Sequence, residues 1–387
     1  MTLFDQVIER KGTSSVKWDY MKFVYGEDEL LPMWVADMDF RPPEAVIQAL
    51  QERLNHGIFG YTVIPDSTGE AIQNWLKSRH GWNIDRSWLL YNHGVVPSLG
   101  LAILAFTDPG DNILLQSPVY TPFFTMTENN NRNVINCPLQ LVNNRFEIDF
   151  IQLEEALQNN IKLFFLCNPH NPGGRVWKRE ELIKIAELCK KYNVLIISDE
   201  IHGDLVGAPQ KHIPIASLDE SYRDFVVTCI APTKTFNLAG IQASSLIVPN
   251  PDLREKLVKI QEQQGFHTLN AFGIVGMEAA YRYGEEWLDT LLPYIKDNIQ
   301  LVKETINQEV PAIKVMEPEG GYLIWLDCRD TGYSDVELKN RLLKIGRLAL
   351  EPGTKYGLGG EGFLRMNVGC PRETIQEGVI RLIKALS

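Results

Sequence analysis

No stretch of the chain reaches the roughly 18 consecutive apolar residues of a membrane span. No two cysteines have the C-x-x-C spacing of a zinc or redox motif. The six cysteines (Cys137, Cys167, Cys189, Cys229, Cys328 and Cys370) are scattered, several inside apolar runs where they read as small buried hydrophobes. That usage predicts a reducing, cytoplasmic compartment rather than a disulfide scaffold. Positive charge is also scarce: 38 Lys and Arg stand against 49 Asp and Glu, a net charge of -11. Nucleic acid and anionic membrane surfaces are therefore excluded as expected partners, and an anionic ligand needs a local positive site. The opening segment carries Asp5, Glu9, Arg10 and Lys11 with no apolar leader core, so a soluble, unprocessed protein is expected. Internal repeats, low-complexity tracts and long charge runs are missing. His93, His170, His202 and His212 open a metal-binding reading, but no pair has the H-x-x-x-H spacing of a helical zinc site.

What is present is enough apolar residue for a large core: 387 residues at 44% hydrophobic, with two domains expected. The most regular stretch is central. Lys162 to Cys167 reads as a buried strand, and Asn168-Pro169-His170-Asn171-Pro172-Gly173-Gly174 as a loop that can continue neither helix nor sheet. Arg179 to Tyr192 reads as a helix with Leu182, Ile185, Ala186 and Cys189 on one face, and Val194 to Ser198 as a second buried strand ending in Asp199-Glu200-Ile201-His202. Strand, helix and strand in this order make a βαβ unit, so both strands run parallel and Asn171, Asp199 and His202 converge at their carboxyl ends. Phe225 to Ile230 predicts a further strand whose following turn, Ala231-Pro232-Thr233-Lys234, brings Lys234 to the same edge.

Other stretches point to that edge. Leu89-Leu90-Tyr91 leads through Gly94, Val95 and Val96 into a helix, and the free N-H groups of such a helix start form an anion site. Tyr120 stands just past the strand Asn112 to Gln116. The last part of the chain reads as a smaller α+β unit, with a capping box at Ser334-x-x-Glu337, a strand over Arg347 to Glu351, and a strand Phe363 to Val368 that turns Arg365 and Asn367 away from Leu364, Met366 and Val368. Taken singly, Lys234 reads as a solvated loop lysine, Tyr61 as structural and Arg365 as an exposed strand residue. Together they suit pyridoxal phosphate: a desolvated lysine for a Schiff base, a carboxylate for the pyridine nitrogen, an aromatic to stack, and an asparagine and histidine for the phenolic oxygen.

Three motifs, Asn168 to Gly174, Ser198 to His202 and Ala231 to Gly240, and the arginine strand Phe363 to Cys370 resemble the fold-type I pyridoxal phosphate enzymes of the aminotransferase superfamily. Within it, Pro32 to Phe40, Gly57 to Thr62 and Leu350 to Gly357 resemble the MalY/PatB group of cystathionine β-lyases, or C-S lyases. The resemblance implies an α/β fold with a mostly parallel central sheet, helices on both faces and a smaller α+β domain. It divides the chain into an N-terminal arm and part of the small domain at 1–44, a large cofactor-binding domain at 45–285 and a small C-terminal α+β domain at 286–387. It implies Lys234 as catalytic base and cofactor anchor. Cofactor contacts follow from Gly94, Val95, Val96, Tyr120, Asn171, Asp199, His202 and Thr233, with Tyr61 crossing from the second subunit of a homodimer with shared sites. Substrate contacts follow from Ala36, Tyr120, Asn171 and Arg365. Two positions depart from the broader superfamily: Gln242 where many relatives have a phosphate-binding arginine, and His202 where many have a tyrosine. The expected activity is α,β-elimination on an L-cysteine S-conjugate, with transamination as the rival and a cofactor-binding regulatory protein as a more distant one.

Overall fold

The computed structural model describes residues 2–387. Its centre is a seven-stranded sheet built from β1 (Leu89–Asn92), β2 (Asn112–Leu115), β3 (Asn133–Asn136), β4 (Ile161–Cys167), β5 (Leu195–Asp199), β6 (Val226–Ile230) and β7 (Ser244–Ile247), in the spatial order β1-β7-β6-β5-β4-β2-β3. Only β7 runs against its neighbours; β2 to β6 are mutually parallel along the ladder. The apolar runs of the sequence resolve into two interiors, one on each face, as the period of two requires. Leu114, Phe164, Leu166, Ile196 and Val226 join one core with the helices Asp66–His80, Arg179–Tyr192 and Ala271–Tyr283. Ile113, Leu163, Phe165, Ile197 and Val227 join the other, against Val95–Phe106 and Pro251–Gln263. All six cysteines are free and buried. No helix among the described residues is long and apolar enough to cross a membrane.

Local signals account for the helix ends. Asn250 and Asn270 cap their helices through side-chain oxygens, and Asn193 closes Arg179–Tyr192 in the left-handed conformation. The expected capping box at Ser334 and Glu337 is formed.

Beyond the 25-residue helix Glu285–Glu309, a four-stranded antiparallel sheet is made of β8 (Lys314–Met316), β9 (Leu323–Asp327), β10 (Glu351–Pro352) and β11 (Phe363–Asn367), in the order β8-β9-β11-β10. The single strand expected over Arg347 to Glu351 is instead divided. Leu348–Ala349 pairs in parallel with Leu31–Pro32, while Glu351–Pro352 pairs with β11. Each half finds its own partner, so the N-terminal segment is sewn to the C-terminal sheet. Met33 N donates to Ala349 O (2.9 Å) and Asn367 N to Met33 O (2.9 Å). Arg10 and Lys17 close the segment with ion pairs to Asp39 at 2.6 Å each.

Candidate active site

The carboxyl ends of β2, β4, β5 and β6 open into a cavity of about 540 Å³ that also receives the 34–36 segment and the C-terminal sheet. Of the residues singled out in the sequence, Ala36, Gly94, Val95, Val96, Tyr120, Asn171, Asp199, His202, Lys234 and Arg365 all border it. The convergence follows from parallel strands sharing one edge, the geometry inferred from the βαβ pattern.

Lys234 lies in the short helix Pro232–Thr235, and its Nζ donates to Ala36 O at 2.6 Å. Burial, and then the Arg365 charge, push its pKa down to about 8, so a substantial neutral fraction exists near physiological pH. Ala36 O also accepts from Tyr322 Oη at 2.9 Å. The 36–40 segment is held at that height by Asn237, whose side chain donates to Met38 O (2.9 Å) and Phe40 O (2.7 Å).

Asp199 is buried at the end of β5 and accepts a hydrogen bond from Ile201 N at 3.1 Å. Burial pushes its carboxyl up to about 7, which marks a carboxylate without a close cation of its own. Burial also holds His202 down at about 3, with the Lys234 and Arg365 charges adding to it, so the imidazole is neutral. Its Nδ1 is buried with no hydrogen-bond partner. Asn171 accepts from Arg365 Nη1 at 3.1 Å, and Arg365 Nη2 donates to Trp34 O at 2.8 Å. Arg365 Nε is buried and unpartnered, which leaves one edge of the fork for a ligand.

These unmet groups fit pyridoxal phosphate. Asp199 would hold the pyridine nitrogen, neutral His202 and the unused side-chain nitrogen of Asn171 would meet the phenolic oxygen, and Tyr120 would lie on the ring. At the other end, Gly94 has φ +135 and caps Val95–Phe106 without a side-chain cap. Its own N-H donates to Ser244 Oγ at 3.1 Å, so the donors left for a phosphate are those of Val95 and Val96. Thr233 is buried beside Lys234 but does not border the cavity. Gln242 is exposed in a left-handed turn away from it. Tyr61 is fully exposed and outside the cavity of its own chain.

Trp34, Glu351, Lys355 and Tyr356 border the same cavity, and Tyr322 shares the Ala36 carbonyl with Lys234, without a sequence pattern that gives any of them a role. The first four sit in the stretches that carry the family resemblance, so their location was marked although their task was not. Tyr322 carried no local signal.

Comparison with known proteins matches residues 29–382 to the aminotransferase class I and II family. The cystathionine beta-lyase PatB of Bacillus subtilis is 49% identical over 99% of this chain and all of its own. Cystalysin from Treponema denticola, whose crystal structure contains pyridoxal 5'-phosphate, superposes with a TM-score of 0.96 at 36% identity, covering 99% of this chain and 98% of that one. A pyridoxal-phosphate-bound C-S lyase from Staphylococcus hominis superposes with a TM-score of 0.93 at 34% identity, covering 99% and 97%.

Proposed function

The chain belongs to the aminotransferase class I and II family, and from that premise we propose that it is a pyridoxal-phosphate-dependent carbon-sulfur lyase. It cleaves L-cystathionine or a related L-cysteine S-conjugate to pyruvate, ammonia and a thiol. The observation that carries the elimination reading is the full-length identity of 49% to a cystathionine beta-lyase. The cavity supports the substrate class, because Arg365 borders the same cavity as Lys234 and has an unpartnered Nε to offer an α-carboxylate.

The bound cofactor supplies an electron sink for the α-carbon. Arg365 fixes the α-carboxylate through Nε and one terminal nitrogen while Asn171 and Trp34 hold the guanidinium in place. Lys234 takes the α-proton on Nζ, a role that its lowered pKa suits because the neutral amine is the base. Asp199 would pair with the protonated pyridine nitrogen of the bound cofactor, which would offset the burial that raises its carboxyl. The N-H groups of Val95 and Val96 at the helix start would hold the cofactor's phosphate.

Three further parts complete the reading. The exposed apolar residues Ile58, Phe59, Tyr61 and Val63 support a homodimer in which Tyr61 reaches the phosphate of the second copy. Buried free cysteines support a cytoplasmic location. The division into 1–44, 45–285 and 286–387 is proposed on the two separate sheets.

One experiment separates elimination from transamination. S-methylcysteine and alanine present the same α-carboxylate, but only the first has a leaving group. The expected result is pyruvate and methanethiol from S-methylcysteine without a keto acid and little use of alanine. Pyruvate that appears only when keto acid is added would overturn the lyase reading.

A further inference from the structure

Arg365 does not stand alone in its wall of the cavity. Glu351 in β10 is directly opposite it across the antiparallel pair, so the two side chains share one face of the sheet. Glu351 Oε2 accepts from Tyr356 Oη at 3.0 Å and lies 3.7 Å from Arg365 Nη2. Its other oxygen accepts from Lys355 Nζ at 2.7 Å. The three charges therefore alternate as cation, anion and cation. Side-chain exposure rises along the row from 4% for Arg365 through 9% for Glu351 to 48% for Lys355, so the row runs from the cavity floor to its mouth.

The turn that carries Lys355, Gly353–Tyr356, has little freedom. A Cβ on Gly353 would meet Gly360 O at 2.1 Å, and one on Gly360 would meet Gly353 O at 2.0 Å, so the two backbones are in direct contact. Lys355 O accepts from Thr121 Oγ1 at 2.8 Å and Tyr356 O accepts from Val119 N at 2.9 Å, which pins the turn to the loop bearing Tyr120. Among the other residues that border the cavity, Val16, Val35 and Pro122 are apolar and Thr121 is uncharged. The other cations bordering the cavity are engaged in the proposed chemistry, Lys234 at the α-carbon and Arg365 at the α-carboxylate.

We propose that Lys355, tethered by Glu351, is a specificity-determining contact for a carboxylate on the leaving thiol. This rests on the lyase reading above and names its substrate class: S-conjugates whose thiol carries its own anionic group, as the distal half of cystathionine does. Such a substrate is held at both ends, by Arg365 on the floor and Lys355 at the mouth. Glu351 is a positioning residue, because it acts by fixing the two cations.

The test compares three conjugates of similar length: S-(2-carboxyethyl)-, S-propyl- and S-(2-aminoethyl)-L-cysteine, followed by pyruvate release without keto acid. The wild-type enzyme is expected to favour the carboxyethyl compound by kcat/KM. Lys355→Met should lower the ratio of carboxyethyl to propyl by about fivefold, the worth of one partly exposed charge pair. Lys355→Arg should restore most of it. Cofactor absorbance of each variant reports whether the site is intact. A ratio that changes less than about twofold in an intact Lys355→Met enzyme overturns the proposal. Release of no pyruvate from any of the three by wild type would instead overturn the lyase reading beneath it.

Discussion

The Arg365→Lys substitution tests how the substrate is held. In the structure the guanidinium spends Nη1 on Asn171 and Nη2 on Trp34 O, at 3.1 and 2.8 Å, while Nε has no partner. A carboxylate approaching that edge can take Nε-H and a second N-H from Nη at once, a forked pair that an ammonium group cannot reproduce. The lysine keeps the charge and loses at least one charge-assisted hydrogen bond, each worth about 1.5 to 3 kcal/mol. The expected loss in kcat/KM is then about 10- to 150-fold, and because the α-carboxylate is common to all substrates it applies to each alike. Pyruvate release coupled to lactate dehydrogenase measures it, with S-methylcysteine and cystathionine as the pair. A loss below about threefold, or one confined to a single substrate, refutes the assignment of Arg365 to the α-carboxylate.

Two further outcomes follow from the site. Because burial lowers Lys234 to about 8 from 10.5, cofactor-free protein should capture pyridoxal phosphate at a rate that climbs with pH up to about 8 and then levels. An unshifted lysine would keep gaining about tenfold per pH unit toward pH 10, and that profile would refute the depressed value. If Tyr61 serves the second subunit, mixing inactive Lys234→Ala with inactive Tyr61→Ala under conditions of subunit exchange should recover activity, since one hybrid site carries neither lesion. No recovery despite demonstrated exchange would count against a shared site.

The sequence by itself determined the parts whose signals are local. The apolar run Leu163 to Cys167 and the run Val226 to Ile230, broken only by Thr228, mark strands buried on both faces, and the proline- and glycine-rich loop after Cys167 ends one of them beside Asn171. The helix 179–192, with its apolar stripe, makes the intervening connection a crossover. Once the strands are parallel, their following loops must share an edge, so Asn171, Asp199, His202 and Lys234 were legible as one constellation. Tertiary structure alone decided what meets that constellation from far along the chain. The strand expected over 347–351 divides because Leu348–Ala349 and Glu351–Pro352 pair with different partners, and pairing is a long-range choice that period-two alternation does not encode. That division places Glu351 opposite Arg365 and, through the following turn, Lys355 at the cavity mouth. The Ala36 carbonyl that receives both Lys234 and Tyr322 is a backbone group, and a backbone acceptor has no sequence signature. Its position depends on Asn237 and on ion pairs from Arg10 and Lys17, contacts between segments whose separation in sequence hides their contact in space.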